Sequence, residues 1–223
     1  MADGTVSVKV WDGWVRLFHW STVLLVIVSY VTAKLRWIEW HMLSGGLLLG
    51  LVVFRLAWGV VGSESARFAQ FLAGPRAAIR HFASLREGAE AEAHAGHNPA
   101  GGWMVMLLLG LLLLQGTIGL FSDDAELYRG AFADWIGYDA SQVASAWHQR
   151  LFDLLLIAVG LHVAAIAIYR VAFGRRLVGA MITGRSAMPA GTTPPRSGNR
   201  ALGALLLAAS LALGLYLWRL SLF

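Results

Sequence analysis

Five apolar stretches, each about as long as a bilayer core is thick, constrain this chain more than any other feature. They lie near residues 15–33, 38–61, 101–121, 146–169 and 201–220. A helix needs about 20 residues to cross the hydrocarbon. Lipid offers no hydrogen-bond partners, so each stretch must satisfy its own backbone, and a helix does so. The composition agrees. The 223 residues are 57% hydrophobic and only 14% charged, and the mean hydropathy is +0.62. A soluble domain carries about 25% charge. The expected fold is therefore an all-α integral membrane protein, residues 1–223 forming one membrane domain. The first stretch exceeds the roughly 7–15 apolar residues of a signal-peptide core, so it is expected to remain as a span.

Four connections join these spans: a short one at 34–37, a long one at 62–100, an acidic one at 122–145 and a turn-rich one at 170–200. Lys9, Arg16, Arg67, Arg76, Arg80, Arg86, Arg170, Arg175, Arg176, Arg185, Arg196 and Arg200 fall on the side of the N-terminus. Only Lys34, Arg36, Arg129, Arg150 and Arg219 fall on the other. The positive-inside rule then puts the N-terminus in the cytoplasm and the C-terminus outside. The net charge of +5 reflects this topology signal and does not point to nucleic acid. In the long connection, Phe68, Phe71 and Leu72 recur at helical spacing, Pro75 interrupts, and Ile79, Phe82 and Leu85 resume, with arginines between. That pattern suits amphipathic helix lying at the inner interface against anionic lipid.

The chemistry sits in the histidines. Ionisable side chains within a span face a bundle interior or a cavity and mark function. His148 and His162 share the fourth span. Fourteen helical residues rise roughly 21 Å and drift only about 40° in direction, so the two point towards one face at different depths. The topology supplies a partner for each. His19 lies a few residues into the first span, at the depth of His162, and His41 a few residues into the second, at the depth of His148. Two pairs of neutral imidazoles at two levels suit two haems, each iron held between histidines of facing helices. Gly45 and Gly46 lie one turn past His41, and Gly160 lies beside His162. Glycine lets a flat macrocycle approach the backbone, the role expected of Gly45, whereas Gly50 is expected to serve helix packing.

The chain has no cysteine. That excludes disulfides, thiolate metal sites and covalently attached haem. A histidine-based metal-ion transporter is the chemical rival, but it would cluster His with Asp or Glu. The spans hold few carboxylates. Asp153 lies a turn inside the fourth, with Arg150 three residues away as an expected ion-pair partner. No Gly-rich phosphate loop, H-E-x-x-H or nucleophile elbow is present.

Several segments together, "VWDGWVRLFHW", "WHMLSGG", "RLAWGVVGSESARF", "GHNPAGG", "GTIGLFSDD" and the histidine pair of the fourth span, resemble prokaryotic cytochrome b561. More broadly the chain is similar to the cytochrome b subunits of nickel–iron hydrogenases. The resemblance runs from about residue 8 to residue 184. It implies a four-helix haem-binding bundle with two non-covalent haem b groups, and it lays the family's axial histidines on His19, His41, His148 and His162. The C-terminal fifth helix departs from the shortest family members. The resemblance also implies the bacterial inner membrane and a membrane quinone as one redox partner. The other would be a c-type cytochrome, a dehydrogenase or hydrogenase subunit, or superoxide.

Among the remaining basic groups, Arg16 and Arg55 are the expected propionate partners of the inner haem, because guanidinium pairs carboxylate bidentately; Arg150 is the outer candidate. His81 and His94 read as solvated surface residues. His97 precedes the third span, where Asn98 can cap the helix and Pro99 suits its first turn; contact with a propionate or quinone is its alternative role. Asp123, Asp124, Glu126, Asp134 and Asp139 face Arg129 alone in the third connection. An acidic outer face attracts a basic protein and repels superoxide. The reading is thus of an electron-transfer cytochrome, with superoxide oxidation coupled to quinone as the alternative. His19→Ala and His162→Ala should each remove one haem, and His41→Ala and His148→Ala the other, as counted by reduced-minus-oxidised spectra with haem stoichiometry.

Overall fold

A computed structural model describes residues 4–74, 76–77, 80, 96–126 and 128–222. In chain order the elements are β1 (Thr5–Lys9), α1 (Gly13–Lys34), α2 (Ile38–Val61), α3 (Phe68–Phe71), α4 (Pro99–Leu120), α5 (Ala133–Ile136), α6 (Tyr138–Phe173), α7 (Leu177–Thr183), β2 (Arg185–Pro189) and α8 (Arg200–Leu220). Helices α1, α2, α4, α6 and α8 are long and apolar enough to cross a membrane, so the chain is a helical membrane protein with five candidate spans among the described residues, and one small two-stranded sheet departs from the all-α expectation.

The expected spans match these helices closely, except at α6. That helix has 36 residues and begins at Tyr138, not near 146. Hydropathy marks only the apolar part of a helix, whereas the polar turns of "YDASQVAS" continue the same hydrogen bonding. Gly137, at φ +78°, ends the preceding turn, and its carbonyl accepts the Ser141 N–H at 3.0 Å. The amphipathic helix expected in the second connection falls largely outside the described residues, as do Pro75, Ile79, His81, Phe82, Leu85, Arg86 and His94.

The chain gathers into two compact units, and every long helix contributes to both. The first holds the described residues of Met1–Leu17, Ala57–Leu107 and Val159–Gly203. Here β1 and β2 pair antiparallel, with Val6 opposite Met188 and Val8 opposite Ser186. The alternation of Thr5, Ser7 and Lys9 with Val6 and Val8 has the period of a strand, and Val8 and Met188 are buried. α7 ends at Gly184, φ +80°, whose carbonyl accepts the Val10 and Trp11 N–H groups at 2.9 and 3.1 Å. A side chain at Gly184 would meet the Trp11 carbonyl at 3.0 Å, so conformation and space both select glycine.

Asp12 ties the start of α1 to the end of α2 in this unit. Its Oδ1 accepts the Val15 N–H at 2.7 Å, the geometry of an N-cap. Its Oδ2 accepts from Trp58 Nε1 at 3.1 Å and from the Ser63 hydroxyl. Trp58 is fully buried. A similar cap opens α4, where Asn98 Oδ1 accepts the Gly101 N–H at 2.6 Å as its sequence position suggested.

The second unit holds the described residues of Phe18–Leu56, Leu108–Ala158 and Ala204–Phe223. Its buried α2 residues are Ser44, Gly46, Leu49, Gly50, Leu51, Val52, Phe54 and Arg55. α2 and α8 run antiparallel and approach backbone to backbone. A Cβ at Gly46 would stand 2.6 Å from the Gly214 carbonyl oxygen, and one at Gly50 2.5 Å from that of Ser210. Gly46 and Gly50, like Ser210 and Gly214, are four apart, the small-xxx-small spacing that lets membrane helices meet through dispersion contacts. Gly50→Ala should therefore lower the thermal midpoint of the protein in detergent. Gly110→Ala should not, because a Cβ there meets nothing within 4 Å and alanine favours helix by about 0.5–1 kcal/mol. Asp12→Ala should also lower it, through a lost cap worth about 1 kcal/mol and the loss of an acceptor for two side-chain donors.

Candidate functional site

His41 and His148 lie in the second unit and face one another. Their ring centroids are 6.1 Å apart and their planes cross at 86°. His41 stands in the first turn of α2 and His148 on α6. His41 Nδ1 is 2.8 Å from the Ser29 carbonyl oxygen on α1, and His148 Nδ1 is 3.0 Å from that of Gln115 on α4. A carbonyl only accepts, so each Nδ1 carries the hydrogen and each Nε2 is the lone-pair nitrogen; at His148 that lone pair accepts from the Gln115 amide N–H, the place an iron would take. The site thus draws on α1, α2, α4 and α6, although only two of them supply an imidazole.

Further polar groups complete the site. The buried Ser44 hydroxyl donates to the Ser29 hydroxyl at 3.1 Å and lies 3.0 Å from the His41 carbonyl oxygen. Gln115 Nε2 lies 3.2 Å from His148 Nε2. Tyr128 donates from its hydroxyl to the Gly119 carbonyl below the acidic connection. Burial, and then the Asp124 carboxylate, push the Tyr128 phenol up, which keeps it a neutral donor.

This arrangement fits an iron porphyrin. With metal–imidazole bonds of about 2 Å and ring centres roughly 1 Å behind the bonding nitrogens, a shared metal spaces two imidazole centroids about 6 Å apart. The donors are neutral, and each Nδ1–H has the carbonyl partner usual for a ligating histidine. Gly45 has nothing within 4 Å of where its Cβ would be, nor does Gly160 in the first unit. Among the described residues, no group of three or more His, Cys, Asp or Glu side chains is placed to hold a bare metal ion. Two histidines suffice when a macrocycle supplies the other four ligands.

The other sequence candidates are placed as follows. His19 belongs to the second unit and His162 to the first, so their pairing rests on the sequence. His19 packs edge-on against Trp20, with centroids 4.9 Å apart. Arg55, also in the second unit, is only 2% exposed. Arg16, in the first, donates from Nη1 to the Thr183 carbonyl at 2.8 Å. His97 packs between Trp11 and Phe71, with centroids at 4.6 and 4.3 Å. Arg150 lies over the Trp147 ring at 5.5 Å; the expected partner was Asp153, but an aromatic face also draws a guanidinium.

The acidic connection is less acidic than its composition. Arg129 pairs with Asp123 at 3.6 Å and with Asp134, and Arg36 reaches Glu126 at 3.1 Å. Asp124 accepts the N–H groups of Glu126 and Tyr128. Ser29, Ser44, Gln115 and Gly119 were not singled out from the sequence. Gln115 had a signal, as a lone amide within an apolar span. The Ser29 contribution had none, because its carbonyl is common to every residue type.

Comparison with known proteins adds to this geometry. The sequence profile of the family described as prokaryotic cytochrome b561 matches residues 10–184. A Bradyrhizobium diazoefficiens protein named probable Ni/Fe-hydrogenase B-type cytochrome subunit is 24% identical, over 82% of this chain and 87% of its own. No solved structure matches the chain.

Proposed function

The chain belongs to the prokaryotic cytochrome b561 family, and from that premise we propose that it is a di-haem cytochrome that carries electrons across the membrane between quinone and a redox protein. Family membership makes it a multi-pass membrane cytochrome of the b type, for which haem b is the cofactor. The finer reading is ours. His41 and His148 hold the outer haem, and His19 and His162 the inner one. The facing pair at 6.1 Å, with both Nδ1 atoms committed to carbonyls, carries the proposal.

The bound iron supplies one-electron redox chemistry. The chain's part is to hold each imidazole in one tautomer, to exclude water, and to set two sites along a path longer than one electron step. Arg16 and Arg55 are our partners for the inner propionates. Arg55 is a buried guanidinium, and Arg16 stands one turn before His19. Gly45 clears room beside the outer ring.

The N-terminus is cytoplasmic in this proposal. Positive residues support it, and the first unit holds the N-terminal strand together with the described residues of the second and fourth connections, as one shared side requires. The name of the Bradyrhizobium relative supports a hydrogenase subunit as the protein partner. A c-type cytochrome drawn by charge is less favoured than composition implied, since three acidic side chains of the outer connection already have arginine partners. A metal-ion transporter would need donor clusters that the described residues lack.

Reconstitution tests the function. Liposomes carrying the purified cytochrome should reduce an enclosed acceptor when quinol is added outside, and His148→Ala should abolish this. Wild-type protein carrying two haems yet leaving the acceptor oxidised would make it an anchor and not a conduit.

A further inference from the structure

α4 supplies no histidine, yet it touches His148 on both ring nitrogens. The Gln115 carbonyl accepts from Nδ1 at 3.0 Å. The Gln115 amide nitrogen lies 3.2 Å from Nε2. One turn on, the ring rests against the bare backbone of Gly119. A Cβ there would stand 3.0 Å from His148 Cε1 and 3.2 Å from Nδ1. These separations are tighter than ordinary contact, so an added methyl must turn the ring by a few tenths of an ångström. The ring cannot simply retreat, because its Nδ1 is tied to Gln115.

We propose that Gln115 and Gly119 of α4 are the seat of His148, positioning residues that set the angle of this imidazole against that of His41. Gln115 selects the tautomer through its carbonyl and lines the Nε2 side with its amide. Gly119 provides the flat floor. Tyr128 braces the same floor from the outer connection, through its hydrogen bond to the Gly119 carbonyl. Gly116, on the same helix, is not part of the seat. A Cβ there would meet the mobile end of Leu49 at 3.1 Å, not the ring. The inference rests on His148 being an axial ligand, and its test separates the two.

Ferric haem between imidazoles whose planes cross near a right angle gives a strongly anisotropic low-spin EPR signal. Turning one ring towards the other lowers its largest g value. In the purified holoprotein, His148→Ala first identifies the outer signal by deleting it. Gly119→Ala should then shift the largest g value of that signal alone, with both haems retained, while Gly116→Ala leaves it in place. Retention of both haems in His148→Ala overturns the ligand reading and the seat with it. A deleted haem in His148→Ala but an unshifted signal in Gly119→Ala overturns the seat only, as does an equal shift in Gly116→Ala. Should Gly119→Ala yield no stable protein, Gln115→Leu decides. The amide turns its N–H, the positive end of its dipole, towards Nε2 and so disfavours the more charged ferric form; without it the outer haem's midpoint potential should fall and the inner one's stay. Unchanged potentials for both would overturn the seat.

Discussion

Everything in this protein follows from a solvent that cannot hydrogen-bond. Within the hydrocarbon each backbone N–H and C=O must find a partner in the chain, which leaves helices as the means of crossing. The same constraint governs the few polar side chains inside. An imidazole has one donor to place, and at His41 and His148 it goes to a main-chain carbonyl of a neighbouring helix. That single bond fixes the tautomer and makes Nε2 the lone-pair nitrogen. The bonds that make the bundle tolerable in lipid also orient the two imidazoles.

Close approach of backbones is the second necessity. The hydrophobic effect gives no drive for helices to associate in lipid, so contact depends on dispersion between surfaces that fit. The α2–α8 contact through Gly46, Gly50, Ser210 and Gly214 is of that kind. Gly119 uses the same lack of a side chain for another purpose and leaves room for a ring. Gly45 faces open space, where a macrocycle could lie against α2. Glycine therefore stands in different surroundings along these helices, and composition alone does not tell them apart.

Outside the spans, water returns and charge becomes the organising term. Arg129 and Arg36 draw in three acidic groups of the third connection. These exposed pairs contribute little stability, but they alter the field that an approaching partner meets. Asp12 does more, joining two helices through one carboxylate that serves as cap and acceptor together.

The architecture was legible in the residues themselves. A run of about 20 apolar side chains states that a helix crosses, and the bias of Lys and Arg proposes which way. Helix rise also paired His41 with His148 before any coordinates, because depth in a bilayer is nearly a linear function of residue number. Other features needed the folded chain. The polar first turns of α6 lie outside the reach of hydropathy. Arg150 found an aromatic face where spacing offered a carboxylate. The Ser29 and Gln115 carbonyls that orient the imidazoles belong to a group every residue carries, so no residue type announces them. Local sequence determines what each helix is and how deep its side chains sit; only packing decides which backbone oxygen stands opposite a given ring, because that choice depends on the rotation of one helix against another.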